Sequence, residues 1–179
     1  MKVEKTSVVR SATLLGHVLL LILVALSGAA AAVVIWLFVD AQQLGQILAA
    51  GVGYESEVLK PWQAVALTLI LLVQVGIWIA VVFRGRHIFT ALTQAALSEA
   101  SMSAGKTARL LWAMLVWGIV GHTLATVVAT WHFPEGMKAL EVSLGSTEIS
   151  IAIAALLATF MSRAFVLGAA LWQDHQEVI

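Results

Sequence analysis

The chain has 179 residues, 61% of them apolar and only 11% charged, against roughly 25% charged for a soluble domain. Its net charge of zero hides a strong asymmetry along the chain and so says nothing about nucleic acid, and four membrane-length apolar runs leave no room for a second globular domain. It contains no cysteine, which excludes disulfides, thiolate metal sites and a cysteine nucleophile.

Residues 1–10 form a polar arm with Lys2, Lys5 and Arg10, and residues 12–39 are then almost wholly apolar. A spanning helix needs about 20 such residues at roughly 1.5 Å each, so this run is long enough to cross with a tilt. The basic arm, the Leu-rich core 14–26 and the small residues 27–32 imitate a signal peptide. The apolar run continues through 33–39, however, and the reading is an uncleaved first helix. Residues 40–61 form a loop with Asp40, Glu55 and Glu57 against Lys60, broken by Gly51, Gly53 and Pro61. Within it Leu44, Ile47 and Leu48 are spaced for a short amphipathic turn on the membrane surface.

The second span is 62–83, the third 110–131, and residues 149–172 contain the fourth. Between the last two, residues 132–148 carry Glu135, Glu141 and Glu148 against Lys138, with Pro134, Gly136 and Gly145. The remaining connection, 84–109, holds Arg84, Arg86, Lys106 and Arg109. There Gly85, Ile88, Phe89, Leu92 and Ala96 recur at helical spacing, so the second helix continues past the apolar run by about three turns. Ser98 reads as an N-cap, with Ser101, Ser103 and Gly105 keeping a polar turn before the third span.

Charge orients the spans. The amino-terminal arm and the 84–109 segment hold seven Lys/Arg, whereas the other two loops hold Lys60 and Lys138. Basic residues beside span ends stay in the cytoplasm, which places both termini inside and both acidic loops outside. Trp36, Trp62 and Trp131 then fall near the outer boundary and Trp112 and Trp172 near the inner one, as interfacial belts require. The seven tryptophans are read as membrane anchors. The expected fold is an all-α, polytopic four-helix bundle with cytoplasmic termini.

The pattern Gln94–Ala95–Ala96–Leu97–Ser98–Glu99–Ala100–Ser101, followed by Ala108–Arg109–Leu110–Leu111–Trp112, resembles the cytoplasmic hairpin of a bacterial membrane-protein family catalogued as domain of unknown function 2975. The stretch Glu141–Val142–Ser143–Leu144–Gly145–Ser146 and the tail from Leu171 to Ile179 are similar to the same family, so the likeness covers roughly residues 62–179. Ala95, Leu97 and Ser101 depart from the Gly, Phe and Asn that the family favours there. The resemblance implies four spans and a bacterial inner membrane, and carries over no reaction or catalytic residue. Members stand beside small helix-turn-helix regulators, which implies a signalling or regulatory setting.

Polar groups inside the spans are the candidates for chemistry, because ionisable residues there are expensive. At about 1.5 Å per residue, Gln74 lies about 18 Å beyond Trp62 and His122 about 15 Å beyond Trp112, so both sit near the midplane. A Gln74–His122 hydrogen bond would be a packing contact of about 0.6–2 kcal/mol. That reading is preferred over a proton or ion path because no carboxylate is expected at their depth. Arg163 is the fixed charge within an apolar run, costing about 2.5–3.5 kcal/mol at a span centre unless it snorkels to the inner boundary.

A b-type haem needs two imidazoles facing each other at one depth, and no two of His17, His87, His122, His132 and His175 match. There is no phosphate-binding Gly loop, H-E-x-x-H or Ser/His/Asp set at a common depth. The expectation is therefore a non-catalytic membrane protein without cofactor, metal site or nucleic-acid partner. It meets the lipid bilayer and serves as an accessory or regulatory module for another membrane or cytoplasmic protein. Small residues on the spans also suit a homo-oligomer. The expected partner surface is a cytoplasmic platform of Arg84, Arg86, Leu92, Arg109, Asp174 and Glu177. The alternatives are a small transporter or permeation accessory with a polar site at Gln74 and His122, and a haem-binding redox subunit.

Overall fold

The computed structural model describes residues 2–54, 59–94, 96–134, 138–142 and 144–177, with backbone alone for 2–10, 97, 169 and 171–177. The described chain is all-helical: α1 Lys2–Val39, α2 Ala41–Gly51, α3 Pro61–Thr93, α4 Leu97–Ala129 and α5 Ser146–Glu177. Four helices contain segments long and apolar enough to cross a membrane, Ser11–Val39, Pro61–Thr93, Ser98–Ala129 and Ser146–Gly168. Their apolar side chains are turned outward, Phe38 at 85% and Leu21 at 70% exposure among them, which water would not tolerate over four helices but lipid favours.

Local chemistry sets the ends. Asp40 closes α1, its N–H returning to the Trp36 carbonyl at 2.8 Å, and its carboxylate accepts the Gln43 N–H at 2.9 Å to start α2. Gly53, at φ 88°, lets the chain reverse while the N–H groups of Val52, Gly53 and Tyr54 bond back to Ala49 and Ala50. Pro61 opens α3 at the first helical position, where its missing N–H costs nothing.

Two boundaries differ from the sequence expectation. The region 98–109 is helical, not a polar turn, and the connection between α3 and α4 shrinks to residues 94–96. Ser98 thus lies inside the first turn of α4 instead of capping it. The serines are used for helix contact: Ser101 Oγ donates to the Ser162 carbonyl at 3.4 Å and Ser162 Oγ to the Ser101 carbonyl at 3.2 Å. Likewise α5 begins at Ser146, three residues before the expected span, and takes Glu148 out of the loop.

The chain divides into two compact units. The first comprises Met1–Ala25, Ile79–Ala113 and Ser150–Ile179. In it Ala100, Ala104 and Ala108 bury a stripe of small residues along α4, which permits close helix approach where lipid supplies no hydrophobic drive. The second comprises Leu26–Trp78 and Met114–Ile149. Its core joins Ala49 of α2, Leu59, Leu67 of α3, and Ala125 and Ala129 of α4. The expected turn of Leu44, Ile47 and Leu48 is the 11-residue α2. Leu44 is buried against protein and Ile47 exposed, so the helix is docked on α3 and does not merely rest on lipid.

Candidate functional site

The second unit carries an open cavity of about 260 Å³. On α3 the positions Leu67, Ile70, Leu71 and Gln74 fall at helical spacing and present one face to it. On α4, Trp117, Gly118, Gly121 and His122 do the same, and Glu148 reaches it from the first turn of α5. Gln74 and His122, far apart in the chain, therefore line one space. The hydrogen bond expected between them is not made: His122 Nε2 is buried and has no partner.

Trp117 stands beside it in the same state, its indole N–H buried and unpartnered. The indole fits because position 121 is glycine. A Cβ there would lie 3.3 Å from Trp117 Nε1 and 3.5 Å from Ile70 Cγ2. Trp62 and Trp131 differ: both are exposed, and their rings meet edge to face with centroids 6.2 Å apart, with the Lys138 ammonium 5.5 Å from the Trp131 centroid.

Glu148 overturns the expectation that no carboxylate stands near Gln74 and His122. Its Oε2 accepts the Gly145 N–H at 2.8 Å, the third-position glutamate of a capping box reaching back to the N-cap. This bond pins the side chain. Oε1 remains turned towards α4, about where a Cβ on Gly118 would come, 3.6 Å away. One oxygen thus serves the helix end while the second is left to the cavity.

The cavity wall therefore gathers Trp117, His122, a carboxamide and a carboxylate oxygen among leucine, isoleucine and valine side chains. The Trp117 and His122 nitrogens are themselves closed off from it, and each buried polar atom left without a partner costs about 1–3 kcal/mol. No family model, curated protein or solved structure matches the chain.

The other expected site residues are not gathered here. Arg163 is exposed, belongs to the first unit and does not line the cavity. Arg84, Arg86 and Leu92 are half-buried on α3 and Arg109 is exposed on α4. The side chains of Asp174 and Glu177 lie outside the described residues, as do Glu55, Glu57 and Glu135. Among the described residues no three His, Asp or Glu side chains cluster as a metal site.

Sequence reasoning missed Trp117 and Glu148. Signals existed for both: Gly121 four residues after Trp117 clears its ring, and Gly145–Ser146 ahead of Glu148 is a helix start. A third polar residue, Gln63, is fully buried and holds the loops of this unit together. Its Oε1 accepts the Lys60 N–H at 2.9 Å, and its Nε2 donates to the Val128 carbonyl at 2.6 Å and faces His132 Nδ1 at 3.3 Å.

Proposed function

We propose that this protein is a non-catalytic, solute-binding accessory module of a bacterial inner membrane, and that its ligand is a small polar molecule bearing an ammonium or amide N–H. The observation that carries the reading is the gathering of Gln74, Trp117, His122 and Glu148, brought from three helices, on the wall of one cavity. Among the described residues of that wall Glu148 alone is charged, so a cationic or N–H-rich solute complements it. An ammonium beside a tryptophan face gains about 0.5–2 kcal/mol more. The resemblance to the domain of unknown function 2975 family supports the inner-membrane setting and adds no reaction to it.

The test separates charge from folding, because glutamine also serves at the third position of a capping box. Glu148→Gln keeps an acceptor for the Gly145 N–H and removes the negative charge. Purified protein is heated in the presence of small primary and quaternary ammonium compounds, amides and carboxylates. Ammonium or amide compounds are expected to raise the melting temperature of the parent, carboxylates to leave it unchanged. Glu148→Gln should weaken the effective compound at least about tenfold, or about 1.4 kcal/mol. Equal binding by Glu148→Gln, or no response to any ammonium or amide compound, would refute the reading.

The same proposal places both termini in the cytoplasm, supported by Lys2, Lys5, Arg10, Arg84, Arg86, Lys106 and Arg109 against Lys60 and Lys138. Because the chain has no cysteine, single cysteines report without background. An impermeant thiol reagent on intact cells should label Lys138→Cys and spare Glu99→Cys. The opposite pattern would reverse the orientation.

A further inference from the structure

The first unit contains a second recess, of about 210 Å³, walled by α1 and α3 and independent of the solute cavity. On α1 the residues Ala12, Thr13, Gly16 and His17 share one face, and on α3 Arg86, Phe89, Thr90 and Thr93 share another. Its chemistry is the reverse of the first cavity. Arg86 is a fixed cation, and no acidic residue is among the described residues that line the recess. A half-buried guanidinium with no carboxylate among those lining residues favours an anion, and its fork of donors matches phosphate oxygens.

The remaining groups define what accompanies the anion. Thr90 Oγ donates its proton to the Arg86 carbonyl at 3.1 Å and Thr93 Oγ to the Thr90 carbonyl at 2.7 Å. Both hydroxyls are therefore committed as donors and present only lone pairs to the recess. His17 Nδ1 lies 2.8 Å from the Thr13 carbonyl, and because a carbonyl only accepts, Nδ1 carries the proton. The recess thus joins one cation to two hydroxyl acceptors, which suits a phosphodiester carrying hydroxyls or an ammonium at its far end.

The surroundings select the source. Leu14, Val18 and Phe83 stand exposed on the same stretches of α1 and α3, in segments apolar enough to lie in the bilayer. An acyl chain can run down these side chains while its phosphate rests at Arg86. Gly16 keeps the floor open, since a Cβ there would meet nothing within 4 Å. We propose that the recess between α1 and α3 is a binding site for the phosphodiester headgroup of a membrane phospholipid, with Arg86 holding the phosphate and Thr90 and Thr93 accepting from the headgroup's donors.

The full chain is extracted in mild detergent, and bound phospholipid is counted by mass spectrometry of the intact protein with phosphatidylglycerol and phosphatidylethanolamine added. The parent should retain one phospholipid. Arg86→Gln, which removes the cation, and Gly16→Leu, which fills the floor without touching a charge, should each lower retention about tenfold. Arg86→Lys should recover part of it, and Arg109→Gln, which removes an exposed charge outside the recess, should retain lipid like the parent. Helix content and elution volume of each variant are measured alongside, so a misfolded protein is recognised and the other recess variant decides. Parent-like retention by correctly folded Arg86→Gln or Gly16→Leu overturns the site. An equal loss in Arg109→Gln overturns it in favour of diffuse charge attraction. Displacement of the lipid by millimolar inorganic phosphate overturns the lipid assignment in favour of free phosphate.

Discussion

Gly45→Leu should unseat α2 from the second unit. A Cβ at position 45 would already stand 2.7 Å from Ala64 Cβ and 3.1 Å from its Cα. The nearest obstacle is a methyl on the helix backbone of α3 and cannot swing away as a long side chain would. Even Gly45→Ala should therefore cost about 1–3 kcal/mol through overpacking, and the leucine, which cannot fit unless the helices part, should cost more. Separation would also expose Leu44 and Ala49, at 3% and 0% exposure, and open the wall that Leu48 and Val52 give the cavity. The readout is the thiol-labelling rate of Ala49→Cys, slow in the parent background and at least tenfold faster with Gly45→Leu. Unchanged labelling together with an unchanged melting temperature would mean that α2 is not held by this contact.

Gln63→Ala should be nearly as damaging, for an electrostatic reason instead of a steric one. Gln63 is 0% exposed and links the start of α3 to the end of α4 through the Lys60 N–H and the Val128 carbonyl. Its loss removes the acceptor that closes the helix start and the donor at Val128, and leaves a void where a full side chain stood. Stranded buried polar groups cost about 1–3 kcal/mol each, so a total of about 2–4 kcal/mol is expected in reversible unfolding in mixed detergent micelles. Gln63→Glu keeps the acceptor and removes the Nε2 donor, aiming an oxygen at the Val128 carbonyl, and should be at least as unstable. A cost below about 0.5 kcal/mol for Gln63→Ala would show that water substitutes for the side chain there.

These two residues mark where the sequence was legible and where it was not. Hydropathy over about 20 residues is a property of contiguous chain, so the four spans were readable, and α1 ends at Val39 as the apolar run does. The helical stripe expected from Gly85 to Ala96 carried α3 only to Thr93, and Ala96 lies beyond its end. Polar composition misled between 98 and 109, because serine and glycine are turn formers in water. In α4 they instead face helix neighbours, as Ser101 faces Ser162 and Gly105 admits Ser162 Oγ within 3.1 Å of a would-be Cβ.

The sequence by itself determined the all-helical class, the number of spans and the presence of polar residues at positions 74 and 122. Those follow from local apolar length and from the expense of placing an amide or imidazole in hydrocarbon. Only the tertiary structure decided that α2 docks through Gly45, that Gln63 ties two helix ends together, and that Gln74, Trp117, His122 and Glu148 line one cavity. Each depends on how helices distant in sequence approach and which faces they turn inward, and every membrane-length helix here is apolar nearly all round. With so little amphipathic asymmetry, the chain does not announce its inner face. Small residues and individual hydrogen bonds choose it, and their partners lie tens of residues away.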